Sequence, residues 1–95
     1  MAIRIRFLSK KPIEMGQTIA DLSPGDVACV SNIDASTSAM QRLLEMGLTP
    51  GTEIEFIGTA LLGDPIEIRL RGYRLSLRKS EAALIQIEPA SHSEE

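Results

Sequence analysis

One cysteine and one histidine are the only residues of this sequence from the two types that most often pair as nucleophile and base or hold soft metals. Cys29 stands between Ala28 and Val30 in a run that reads as a strand, and His92 falls in the polar stretch from Ala90 to Glu95. A thiolate nucleophile needs a base held against it by rigid elements, and this spacing supplies none. Soft-metal sites need several Cys or His ligands at fixed intervals, so no metal site and no cofactor is expected. Asp64 and Glu67 could brush a hard cation beside the Gly63-Asp64-Pro65 turn, but a turn-forming aspartate and a solvated strand glutamate account for them without one. No G-x-G-x-x-G or G-x-x-x-x-G-K run is present, so no phosphate cradle is suggested. The sequence therefore predicts a binding protein, not an enzyme.

Two features stand out as binding candidates. Arg69, Arg71, Arg74, Arg78 and Lys79 are half of the 10 Lys+Arg, with no acid between Arg69 and Lys79. On two adjacent strands their outward members would form one basic stripe. That stripe reads as a solvated face, as a surface for an anionic partner, or as a phosphate reader. The last reading lacks the interleaved aromatics that nucleic-acid binding uses. The second feature is Leu61-Leu62, ahead of Gly63-Asp64-Pro65. Two adjacent leucines cannot both point inward from a strand, so either at least one forms an exposed apolar contact or the loop folds over and hides both. Leu61, Leu62, Arg69, Arg71 and Arg74 are thus expected to make one partner site, because the loop leads directly into the strand that carries Arg69 and Arg71.

The whole composition agrees with a binding module. The chain has 95 residues and a net charge of -3, with 3% aromatics and no Trp. That length fits one domain, and an acidic balance argues against nucleic acid as partner. A single Cys excludes an internal disulfide and favours a reducing, cytoplasmic setting. The opening MAIRIRFLSKKP has no apolar signal core. No apolar run approaches the ~20 residues of a membrane helix, so direct membrane insertion is not expected.

The elements follow from periodicity. Ile3, Ile5 and Phe7 alternate with Arg4 and Arg6, and residues 1–17 read as an arm and linker. A compact domain is expected over 18–89, with a disordered tail at 90–95. Leu22-Ser23-Pro24-Gly25 and Leu48-Thr49-Pro50-Gly51 are one turn device used twice, each launching a strand. The first launches Val27 to Ile33, where either Ala28 and Val30 or Val27, Cys29 and Ile33 face inward. Between the two turns lies a helix. Ser36 or Thr37 caps it, and Met40, Leu43 and Leu44 form its buried stripe. Gly47 ends it in a left-handed conformation, and Leu48 packs back on Leu43. Thr52 to Ile57 alternates with Ile54 and Phe56 inward. Ile66, Ile68 and Leu70 follow, then Tyr73, Leu75 and Leu77. Ser80 is expected to cap one helical turn before a last strand at Ile85 and Ile87. Short alternating strands at this spacing predict an all-β sandwich or barrel of about five strands with one inserted helix.

The sequence from about Thr18 to Glu88 resembles the FeoA family, small proteins that accompany the FeoB ferrous-iron transporter. The pieces that carry the resemblance are RLLEMGLTPG at Arg42 to Gly51, GDPI at Gly63 to Ile66 and RGYRLSLR at Arg71 to Arg78. The resemblance implies an SH3-like barrel with a helix inserted after its first strand. It also implies a cytoplasmic role in ferrous-iron uptake, through binding the cytosolic G-protein part of a FeoB-type transporter. A related domain closes certain metal-dependent repressors, so a metal-responsive or small-ligand-binding module is the alternative. With no helix-turn-helix ahead of it, the free-standing form is expected.

Overall fold

The structure, a computed structural model, describes residues 13–90. The alternating arm at Ile3, Ile5 and Phe7 and the segment with His92 lie outside them. A short 3-10 turn at Ile19–Asp21 precedes β1 (Val27–Ile33), α1 (Ser38–Glu45), β2 (Glu53–Thr59), β3 (Ile66–Leu70), β4 (Tyr73–Leu77), α2 (Lys79–Ala82) and β5 (Ile85–Pro89). The strands form one antiparallel sheet in the order β4-β3-β2-β1-β5.

Period-two alternation decides which face is buried. Ala28 and Val30, Ile54 and Phe56, Ile66, Ile68 and Leu70, Leu75 and Leu77, and Ile85 and Ile87 all lie in the core. This resolves the frame of β1 in favour of Ala28 and Val30; Cys29 is left half-buried on the other face. Register shifts between Val30 and Asn32 and between Phe56 and Gly58 bend the sheet, because a bulge adds a residue to one strand and increases its twist. Met40 and Leu43 of α1 are buried in the same core.

Both Pro-Gly turns behave alike. Gly25 and Gly51 have φ of 93° and 94°, the conformation that the third position of such a turn requires. Gly25 N–H donates to Phe56 C=O (2.8 Å) and Gly51 N–H to Val30 C=O (2.7 Å), so each turn docks on the strand opposite the one it launches.

The end of α1 has the expected chemistry. Thr37 caps its start, its hydroxyl accepting from Met40 N–H at 3.2 Å. At the other end Gly47 has φ 121°. Leu48 N–H reaches Leu43 C=O (3.2 Å) and Gly47 N–H reaches Leu44 C=O (3.1 Å), which is the paired closure of a Schellman motif. Leu48 and Leu43 are both fully buried.

Three expectations are corrected. Leu44 is only partly buried, because at 100° per residue it sits about 70° from the centre of the Met40–Leu43 stripe. Ser80 is not a cap. The turn starts at Lys79, and Glu81 accepts from Arg78 N–H at 2.8 Å, which places the cap two residues earlier than Ser80. Tyr73 shares the inward side of β4 yet stays 40% exposed. It stands at the hairpin end, where it reaches over α1.

Candidate partner-binding surface

Leu61 and Leu62 are 101% and 95% exposed. They occupy the central positions of a tight turn closed by Gly63 N–H to Ala60 C=O (2.9 Å), at the tip of the β2–β3 hairpin. The base of that tip is braced twice. Ala60 N–H donates to Pro65 C=O at 3.0 Å, and the Asp64 carboxylate accepts from Lys79 N–H at 2.9 Å. Asp64 is therefore a structural tie between the hairpin and the start of α2. The leucines form an ordered apolar finger, and fully burying one leucine against a partner would contribute about 1.5–3 kcal/mol.

The cations divide into three groups. Arg69 and Arg74 are register partners on β3 and β4. Like charges directly opposite repel, and two acids offset this: Arg69 pairs with Glu55 (2.9 Å) and Arg74 with Glu67 (3.3 Å). These pairs are surface-exposed, and such pairs are worth at most about 1 kcal/mol. Arg71 is not on a strand. It occupies the two-residue turn between β3 and β4 with φ 50°, followed by Gly72 at 85°. Its guanidinium turns back to donate to Thr52 Oγ1 at 3.1 Å. Arg78 and Lys79 lie beyond the far end of β4. Among the described residues neither side chain has an ion pair.

Leu61 and Leu62 are thus separated in space from Arg69, Arg71 and Arg74, against the expectation of one contiguous site. Thr59, Ile66 and Leu77 form one cross-strand row at the finger's base. Arg69 is three residues further along β3, about 10 Å away at strand rise, and Arg71 and Arg74 lie by the opposite hairpin. Following a loop into its strand says which residue comes next, not which end of the strand it occupies. Among the described residues the cations at the finger's end of the sheet are Arg78 and Lys79. Sequence reasoning missed this grouping; the signal lay in Asp64, which the finger contributes to the first turn of α2.

Arg71 and Tyr73 instead seal the end of α1. Thr52, the buried polar residue of the core, donates to Gly47 C=O at 3.0 Å and lies 3.0 Å from the Thr49 hydroxyl. With its proton on Gly47, Thr52 Oγ1 accepts from Arg71 and from Thr49. The Tyr73 hydroxyl donates to Met46 C=O. Helix C-terminal carbonyls carry partial negative charge and lack helical donors; here the Tyr73 and Thr52 hydroxyls serve the Met46 and Gly47 carbonyls, with the Arg71 guanidinium donating to Thr52 behind them. Gly51, at its turn, and Met40, Leu43, Gly47 and Leu48 complete this structural set.

Among the described residues no group of three or more His, Cys, Asp or Glu is placed to hold a metal ion, and no helix is long and apolar enough to cross a membrane.

The FeoA domain model matches residues 17–89. An Fe(2+) transport protein A/Fe(2+) transporter FeoB fusion protein of Porphyromonas gingivalis is 34% identical over 70 residues, covering 74% of this chain. The match spans only 8% of that fusion protein's length. The solution structure of a FeoA-like protein from Clostridium acetobutylicum superposes with a TM-score of 0.73 at 36% identity, covering 87% of this chain and 96% of that one. A zinc-complexed FeoA from Stenotrophomonas maltophilia, described as an SH3 domain protein, superposes at TM-score 0.67 and 24% identity over 80% of this chain and all of its own; that likeness bears on the fold alone.

Proposed function

This chain belongs to the FeoA family of ferrous-iron transport, and we propose on that premise that it is a cytoplasmic accessory protein that binds the cytosolic G-protein part of a FeoB-type transporter. The observation that carries this reading is the fusion relative, in which a similar domain and a FeoB transporter share one polypeptide. Joining two modules by a linker keeps the second at high effective concentration beside the first, an arrangement useful for modules that bind one another. The exposed Leu61–Leu62 finger supports the reading, since it offers the apolar anchor that interface centres favour. Arg78 and Lys79 beside the finger steer association with an acidic partner, and Arg69, Arg71 and Arg74, engaged by Glu55, Thr52 and Glu67 in turn, contribute less.

Calorimetric titration of the purified chain into the cytosolic domain of a FeoB-type transporter from the same cell tests the proposal. Saturable 1:1 binding is expected. Heats indistinguishable from dilution, with and without guanine nucleotide, would overturn it.

A further inference from the structure

Among the described residues strand β4 is an edge: β3 lies on one side and no described strand on the other. The register says where its backbone groups point. Leu70 and Tyr73 flank the two-residue turn. In such a hairpin that flanking pair exchanges hydrogen bonds, and bonded and non-bonded pairs alternate from there. Tyr73, Leu75 and Leu77 therefore direct their N–H and C=O groups to β3, while Arg74 and Ser76 direct theirs away from the sheet. Among the described residues, no backbone hydrogen bond from another element reaches Arg74 or Ser76. The other edge of the sheet differs. There Ile87 N–H donates to Gln17 C=O at 3.0 Å and Thr18 bridges Gln86.

The features flanking β4 specify a guest. At its Leu77 end stand the exposed leucines of the finger and Arg78 and Lys79, which have no ion pair among the described residues. Beside Ser76 is a shallow depression of about 220 Å³ lined by Thr59, Ala60, Pro65 and Glu67. An open ladder, with an apolar contact and two cations that have no ion pair among the described residues at one end of it, suits an extended acidic segment.

We propose that β4 is a strand-addition site, at which an extended acidic segment of the transporter's cytosolic part pairs with the outward backbone groups of Arg74 and Ser76. The guest lays an apolar side chain on Leu61–Leu62 and sets a carboxylate against Arg78 and Lys79. This rests on the reading above. In strand addition the main-chain bonds supply affinity and the flanking side chains supply specificity.

The test uses Ser76→Pro and Ser76→Ala. Proline removes the outward N–H and leaves the ladder to β3 intact, the one place in a sheet where it is tolerated; alanine keeps the N–H. Ser76→Pro should weaken binding to the transporter's cytosolic domain by about tenfold or more, a loss of the order of one ladder bond, with Ser76→Ala binding like wild type. Amide exchange followed by NMR on the wild-type chain reads the same site without mutation. The Arg74 and Ser76 amides should exchange fast alone and slow in the complex, and this decides the matter if Ser76→Pro does not fold. If the wild type binds but those amides stay fast, β4 is not the site and the proposed function survives. Protection of both amides in the chain alone, with concentration-dependent sedimentation, would assign the edge to a second copy and overturn the proposal. No binding by the wild type would remove both readings.

Discussion

The Tyr73 hydroxyl donates to the carbonyl of Met46, tying the β3–β4 hairpin to the last turn of α1 across 27 positions of sequence. Arg71 makes a second tie through Thr52. The helix is only 8 residues long, too short to persist on its own in water, so its closing turn depends on groups that arrive from the sheet. The Arg71-Gly72-Tyr73 run is therefore first a structural device.

Removing that tie should be measurable. Tyr73→Phe keeps the ring and deletes the donor, leaving a helix-end carbonyl to solvent. A loss of about 1 kcal/mol is expected, or a drop of roughly 4–8 °C in the calorimetric midpoint of a domain this size. An unchanged midpoint would mean that the hydroxyl bond contributes nothing net.

Gly47 and Gly63 make a matched pair. Both have positive φ, 121° and 85°, so alanine is strained at either. An added Cβ at Gly47 would meet Tyr73 Oη at 3.1 Å and Leu70 Cδ1 at 3.3 Å, whereas at Gly63 it meets open space. Both Gly→Ala variants should lose about 1 kcal/mol from backbone strain, and Gly47→Ala should lose more. Urea midpoints of the two, compared with wild type, check the order; Gly63→Ala as the worse variant would refute it.

Leu43 and Leu44 test the stripe of α1. Leu43 is fully buried and Leu44 only partly. Leu43→Ala should cost about 2–5 kcal/mol. Leu44→Ala should cost less than half as much, because less of its surface leaves water on folding. Equal denaturation midpoints for the two variants would contradict the observed helix face.

The finger should separate binding from stability. Leu61→Ser with Leu62→Ser removes side chains that pack against nothing in the domain. The thermal midpoint should stay within a few degrees of wild type, as expected for surface substitutions, and binding to the transporter's cytosolic domain should be lost. A folded variant that binds with wild-type affinity would exclude the finger as the anchor.

Charge reversal distinguishes the two ends of β4. Arg78→Glu with Lys79→Glu changes cations that have no ion pair among the described residues, and should mainly slow association. Arg69→Glu with Arg74→Glu breaks the pairs with Glu55 and Glu67 and should affect association less. Stopped-flow association rates at low and physiological salt would show the reverse order if the partner sits over the middle of the sheet.

What the sequence determined by itself was the set of interactions made among near neighbours. Thr37 on Met40, the Gly47 closure, the twin Pro-Gly turns and the alternation of Ile66, Ile68 and Leu70 are all written within a few residues, because capping, turn conformation and pleat act over one turn or one step. That Leu61 and Leu62 could not both be buried in a strand was legible for the same reason, but that both stand exposed was decided by the tight turn they occupy. Tertiary structure decided the rest. The positions of Arg69 beside Glu55, of Arg71 on Thr52 and of Lys79 on Asp64 depend on strand register and on where chain ends meet, 14 to 19 residues apart. Register is a property of two strands paired in the sheet, and no local pattern of charge encodes it. That is why the basic residues formed one stripe on paper and fall into three groups in space.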